Sequence, residues 1–384
     1  MATQMQPAWM TEQHAQFQDA TRKFFEAEIK PHCESWRENG IVDRTFWNKA
    51  GDVGLLGASA PEIWGGAGGD HGYDVIIAYE LARIGEPSWG WSVHNICLHY
   101  ILAYGSEEQK ARWVPKLITG ELVPAIAMTE PGTGSDLQAI KATAIKDDGD
   151  YLINGSKTFI SNGQCADLVI VVAKTDPLAR AKGISLIATE TDNAPGFRRG
   201  RNLAKLGIKG QDTSELFFHD VRVPQRNLLG GQEGQGFVQL MSQLAWERLQ
   251  IGVLALGAMD AILSDTLTFV QERKAFGRRL MDFQNTRFKL AEAKTKLEVT
   301  RSFIHDCVSK LIAGQLDAPT ASMAKWWGSQ MQCELADECL QLFGGYGYML
   351  EYPITRHFAD ARAQKIYGGT NEIQKELIAR SLDA

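Results

Sequence analysis

The sequence predicts an α+β protein built in three consecutive parts: helical, then antiparallel β, then a helical bundle. Three observations lead there. Up to residue 125, apolar residues recur at helical spacing between glycine-rich turns. Between 126 and 230 they gather in short β-branched runs bounded by turn residues. From 231 to 384 they form stripes along extended helical segments. A chain of 384 residues exceeds one ordinary core, and the texture changes divide it into 1–125, 126–230 and 231–384.

In the first part, Thr11 is placed to cap a helix with Glu12 in its opening turn, and Phe17, Ala20, Phe24 and Phe25 follow at helical spacing. The stretch from Pro61 to Gly72 is rich in glycine and reads as a loop, with a second periodic segment from Tyr73 to Ile84. Ser106, with Gln109 three places on, marks another helix start. The middle part holds the β-rich runs Leu168 to Ala173, Ile184 to Ala188 and Glu215 to Val223, the last closed by Pro224. Asn154-Gly155, between Tyr151–Ile153 and Lys157–Ile160, carries a hairpin signal. In the last part, Leu249, Val253, Leu256, Leu263, Leu267 and Val270 share one face of a long helix. Asn285 to Leu311 and Ala318 to Phe343 read as two more, and Ile373 to Ala379 belongs to a shorter final one.

The net charge of −6 supplies no basic field, so nucleic acid is not an expected partner. The six cysteines are scattered without a C-x-x-C pair and read as ordinary thiols in a reducing compartment. The histidines show no H-E-x-x-H spacing, and no metal site is expected. No run of eighteen apolar residues is present, so no membrane span is expected. The opening MATQMQPAWMTEQHAQF has neither an apolar nor an arginine-rich presequence pattern, which makes the cytoplasm the expected location.

Four stretches are able to carry chemistry, each with a plainer alternative. Met128 to Asp136 (MTEPGTGSD) forces a tight turn whose amides and hydroxyls suit a flavin edge or a pyrophosphate, or else are only solvated. Gly344 to Tyr348 is either a helix C-cap or a place where a phosphate meets backbone. Arg273 to Arg279 has four cations in seven residues, either a solvated helix end or a diphosphate clamp. Ile366 to Ile373 opens the last helix, with Thr370 or Asn371 as N-cap and free amides that favour an anion.

Taken in order, GSEEQKARWVPKLITGE, AMTEPGTGSDL, INGSKTFISNG, ERKAFGRRLMDFQ, LFGGYGY and IYGGTNEIQKELIAR make the chain resemble the acyl-CoA dehydrogenase family over nearly its whole length. The resemblance implies a helical domain, a β-barrel-like middle domain and a C-terminal four-helix bundle, with FAD as cofactor and a homotetramer as the assembly. It implies that Ile126, Met128 and Thr129 meet the isoalloxazine ring and that Phe159 and Ser161 cover its other side. Gly134 and Ser135 belong near the diphosphate or the CoA chain. Arg273, Phe276 and Gln284 belong at the adenine end of a neighbouring subunit's FAD, with Gln341, Gly344 and Gly345. Thr370 and Glu372 complete the cofactor site, Tyr367 and Gly368 meet the thioester, and Arg248 and Arg380 are candidates for the CoA nucleotide.

One departure from the commoner family pattern decides the chemistry. Many members read I-Y-E-G-T, and that glutamate is the base; here Gly368, Gly369 and Thr370 follow Tyr367. The segment Leu244-Ala245-Trp246-Glu247-Arg248-Leu249 resembles the isovaleryl and long-chain branches, where a glutamate on this helix serves instead. Glu247 is therefore the expected base, against the plainer reading of a charged pair with Arg248 on a solvated turn. Gly368 retains the amide that in the family helps bind the enolate oxygen. The expected reaction is α,β-dehydrogenation of an acyl-CoA to a trans-2-enoyl-CoA, with electrons passed to electron-transferring flavoprotein. The expected substrate is long-chain or methyl-branched, with an isovaleryl type as runner-up. Ala245 and Gly252 either leave room for a longer chain or serve ordinary helix packing. An acyl-CoA oxidase and a non-catalytic binding relative are the rival classes. A DNA-associated relative would need a basic C-terminus, whereas Lys375 and Arg380 are matched by Glu376 and Asp383.

Overall fold

The computed structural model describes residues 7–383, so the first six residues of the opening segment read above lie outside it. The first part is six helices: α1 (Glu12–Glu28), α2 (Cys33–Asn39), α3 (Arg44–Asp52), α4 (His71–Arg83), α5 (Trp91–Tyr104) and α6 (Glu107–Ile118). Thr11 caps α1, and His14 returns the bond by accepting from the Thr11 amide at 3.2 Å. Ser106 and Gln109 form the reciprocal capping box of α6 at 2.9 and 3.2 Å. The glycine-rich loop is shorter than its composition indicates. Asp70 accepts from the Gly72 amide at 2.7 Å, so α4 starts at His71.

The middle part is one mixed sheet of β1 (Pro124–Ala127), β2 (Thr143–Asp147), β3 (Asp150–Ser161), β4 (Leu168–Lys174), β5 (Ile184–Glu190), β6 (Phe197–Asn202) and β7 (Thr213–Pro224). The order is β1-β4-β2-β3-β7-β6, with β5 on β4. Most pairs are antiparallel, but β1 runs parallel to β4, which corrects the all-antiparallel expectation. Strand β4 is apolar throughout because both its faces are covered. Leu168, Ile170 and Val172 pack towards α5 and α6, while Val169, Val171 and Ala173 fill the curled interior of the sheet.

Asn154-Gly155 is not a hairpin. It lies inside continuous β3 at a bulge, where the register with β7 shifts between Ile153 and Gly155. The Asn154 amide brackets Asp220 on β7, donating to its carboxylate at 2.8 Å and accepting its N–H at 3.0 Å. A Cβ at Gly155 would stand 2.7 Å from that of Ala142, so glycine is required there. The true turn is Asp148-Gly149, both residues with positive φ as a type I′ turn demands.

The last part is α7 (Gly236–Glu272), a small hairpin of β8 (Lys274–Ala275) and β9 (Arg278–Arg279), then α8 (Gln284–Ile312), α9 (Ala318–Leu342), α10 (Pro353–Gln364) and α11 (Asn371–Arg380). At 37 residues, α7 is long and apolar enough to cross a bilayer, yet here it is the spine against which α4, α8, α9 and α10 pack. Two of its glycines make that possible. A Cβ at Gly252 would meet Ile304 of α8 at 2.8 Å and the Ala324 carbonyl of α9 at 3.0 Å. Gly252 is thus taken up by helix packing and leaves no room for an acyl chain. A Cβ at Gly257 would overlap the Tyr79 carbonyl of α4. Gly257→Ala is expected to destabilise the protein by about 1–3 kcal/mol in urea unfolding, although alanine is the better helix former.

Candidate active site

Glu247 lies in the buried stretch of α7 and is only 8% exposed. Its Oε1 accepts one side-chain hydrogen bond, from the Tyr100 hydroxyl of α5 at 2.9 Å. Burial pushes its carboxyl up to about 7, against the opposing pull of the Tyr100 bond and the Arg248 guanidinium. At neutral pH the group is poised between proton acceptor and donor.

Gly368 sits beside the same face of α7. A Cβ on it would overlap Cδ1 of Ile251, one helical turn beyond Glu247. Gly368 and Gly369 both have positive φ, 65° and 84°, and the buried Gln374 amide of α11 donates to both carbonyls at 3.1 and 3.0 Å. The glycine pair is therefore a clamped turn, packed against the helix that carries the carboxylate. Tyr367 is half-exposed next to it, its hydroxyl donating to Gln364 at 2.6 Å.

The loop after β1 is fixed by a buried ion pair. Lys157 of β3, 1% exposed, donates to Glu130 Oε1 at 2.9 Å and to the Met128 carbonyl at 3.0 Å. The Glu130 carboxylate also accepts the Lys141 and Ala142 amides at 2.6 and 2.9 Å. The Thr158 amide donates to the Thr129 carbonyl at 2.9 Å. Met128 and Thr129 are so joined to the segment bearing Phe159 and Ser161. Phe159 is 67% exposed and held at φ 59°, a left-handed conformation that costs a non-glycine residue free energy. Ile126, Met128 and Thr129 are half-buried, while Gly134 and Ser135 stand exposed in the same loop.

A second group gathers at one end of the bundle. The Arg273 guanidinium lies 5.3 Å over the Tyr346 ring, which brings it to the turn of Gly344 and Gly345 just past Gln341. Phe276, 95% exposed at φ 51°, tips the β8–β9 hairpin, and Gln284 opens α8 close behind it. Thr370 and Glu372 lie apart from this group, at the start of α11 over Lys325 and Ser329 of α9: Thr370 caps the helix by accepting from the Ile373 amide at 3.4 Å, and Glu372 is exposed in its first turn. Beneath that turn, buried Lys325 donates to Asn371 at 2.9 Å, and burial brings its ammonium down to about 8.

Arg380 is exposed and pairs with Glu376 at 2.7 Å. Arg248, expected at the CoA nucleotide, lies inside the bundle. It is buried, its Nη1 lies 3.4 Å from Ser322 of α9, and its Nε finds no partner among the described residues. Its charge acts on Glu247. Tyr100, Glu130, Lys157, Lys325 and Gln374 were not singled out from the sequence. All but Gln374 act through a partner far along the chain, and only the adjacency of Lys157 to the FIS segment hinted at one of them.

A buried carboxylate of raised proton affinity, on the helix against which a glycine turn packs, suits a class of proton-transfer chemistry. Comparison with known proteins gives the class its name. The family models for the acyl-CoA dehydrogenase N-terminal, middle and C-terminal domains match residues 11–121, 125–221 and 234–382. The mitochondrial long-chain specific acyl-CoA dehydrogenase of Sus scrofa is 48% identical over 96% of this chain and 86% of its own. The mitochondrial isovaleryl-CoA dehydrogenase of Oryza sativa is 37% identical over 96% of this chain and 90% of its own. The crystal structure of an acyl-CoA dehydrogenase from Geobacillus kaustophilus superposes with a TM-score of 0.96 at 47% identity, covering 99% of this chain and 100% of that one. The chain belongs to the acyl-CoA dehydrogenase family and is an enzyme of that family.

The Glu130–Lys157 pair is the most exacting support of the site. Lys157→Met leaves Glu130 buried without its cation and releases the Met128 carbonyl. A loss of about 3–5 kcal/mol is expected in urea unfolding, together with weaker retention of flavin colour on gel filtration.

Proposed function

We propose that this protein is an FAD-dependent dehydrogenase of long-chain or methyl-branched acyl-CoA, with Glu247 as the base. The observation that carries the reading is the buried Glu247 carboxyl, raised to about 7, one helical turn before the Ile251 side chain that meets the Gly368 turn.

FAD fits the residues present. The uncovered Phe159 ring beside the Thr129 loop suits one face of a flavin. At Gly344 and Gly345 no heavy atom of the described residues comes within 4 Å of an added Cβ, which leaves backbone open to a phosphate. Arg273 supplies a cation at that turn. When bound, FAD supplies the acceptor for the hydride that leaves the β-carbon. Glu247 takes the α-proton on its free oxygen, and the electron pair of that C–H bond becomes the new double bond of a trans-2-enoyl thioester. Tyr100 holds the carboxylate in one orientation. The acyl chain excludes water from the carboxyl and keeps it basic.

The long-chain preference rests on the level of identity to the long-chain relative, and the isovaleryl relatives make a short branched substrate the second reading. Electron-transferring flavoprotein is the proposed acceptor, on the family resemblance. A homotetramer is proposed on the family resemblance. The cytoplasm is the proposed location.

Anaerobic titration of the yellow holoenzyme with palmitoyl-CoA and with a methyl-branched acyl-CoA tests this. Bleaching of the flavin by one of them is expected, and intact absorbance with both would contradict the substrate assignment. Oxygen uptake without an added acceptor would instead mark an oxidase. Glu247→Gln is expected to slow the bleaching by about 10²–10⁴-fold. For the wild type, kcat/KM should rise with pH to a plateau with a midpoint near 7, because the base must be ionised. Tyr100→Phe removes a bond that favours the ionised form, so that midpoint should move to higher pH in stopped-flow profiles.

A further inference from the structure

Beside Trp246, the residue before Glu247, lies a polar cluster that the proposed reaction does not use. The His71 ring stands 5.2 Å from the Trp246 ring. His71 and Asp74 share a face in the first turn of α4, and His99 reaches them from α5. We propose that His71 Nδ1, Asp74 Oδ2 and His99 Nε2 form a binding site for one divalent transition-metal ion of the zinc type, with the Ser59 hydroxyl at its edge.

Three features of the geometry support this. The three ligand atoms all lie within 4.8 Å of one another. His71 Nδ1 and His99 Nε2 stand 3.2 and 3.3 Å from Asp74 Oδ2. These separations lie at the long end of ordinary N–H···O bonds, which reach about 3.2 Å. They approach the edge of a tetrahedron whose centre binds nitrogen and oxygen at about 2.0–2.2 Å. Ser59 Oγ also approaches Oδ2, at 2.5 Å, and stands 3.1 Å from His99 Nε2.

Two imidazoles with one carboxylate are the donor set of zinc, cobalt or nickel, whereas calcium and magnesium require oxygen ligands. Asp74 is buried and His71 is half-exposed, which gives the ion an anionic floor and a route in. A bound ion would tie α4 to α5 beside the residue that precedes Glu247. The signal was invisible in the sequence because the ligands are split between two helices with no recurrent spacing.

The test is equilibrium dialysis of chelator-stripped holoenzyme against Zn²⁺, read by elemental analysis alongside flavin content. One Zn²⁺ per chain is expected. His71→Gln, His99→Gln and Asp74→Asn should each weaken uptake by at least about tenfold while the flavin spectrum persists. The three variants guard against the misfolding of any one. Substoichiometric uptake by the wild type, or equal uptake by flavin-retaining variants, would overturn the proposal and leave the cluster as hydrogen bonds alone.

Discussion

A carboxylate enclosed within the longest helix of the protein is the constraint to which the rest answers. Glu247 has one hydroxyl donor and one neighbouring guanidinium in place of bulk water, and that exchange raises its proton affinity into the neutral range. Keeping water away requires α7 to be covered on several sides. Gly252 and Gly257 permit this by letting α8, α9 and α4 approach its backbone. The same enclosure explains why the alternative base position is closed. Ile251 fills the space that a side chain at position 368 would need, and Gln374 holds the glycine turn in a left-handed shape that disfavours any Cβ.

The other wall of the site depends on a second buried charge, solved differently. Glu130 is paired with Lys157 and accepts two backbone amides, and so serves as a fixed post for the loop after β1. Glu247 has few partners and a raised proton affinity, whereas Glu130 has many partners. Support and catalysis thus call on the same residue type in opposite environments. The non-glycine residues held at positive φ include Phe159 and Phe276, both well exposed, and rings presented in this way are what a bound cofactor would cover.

Much of this was legible in the sequence, and the failures have physical causes. The Thr11 and Ser106 caps were readable because their partners lie within three residues. Strand β4 was readable as an unbroken apolar run. Asn154-Gly155 misled because a bulge demands the same residues as a turn, and only pairing with Asp220 distinguishes them. The parallel β1–β4 pair and helix α10 left no local signature. Glu247 and Gly368 were found through family motifs, but Tyr100, 147 residues away from Glu247, was not, because nothing local pairs a tyrosine with a distant glutamate.

The most direct measurement is an infrared pH titration of the substrate-free holoenzyme, with Glu247→Gln spectra subtracted to isolate one carboxyl. A protonated-carboxyl C=O band that disappears with a midpoint near pH 7 is the expected result. A Glu247 carboxyl already fully ionised at pH 5 would mean that it sits in water, and the account of a buried base would be wrong.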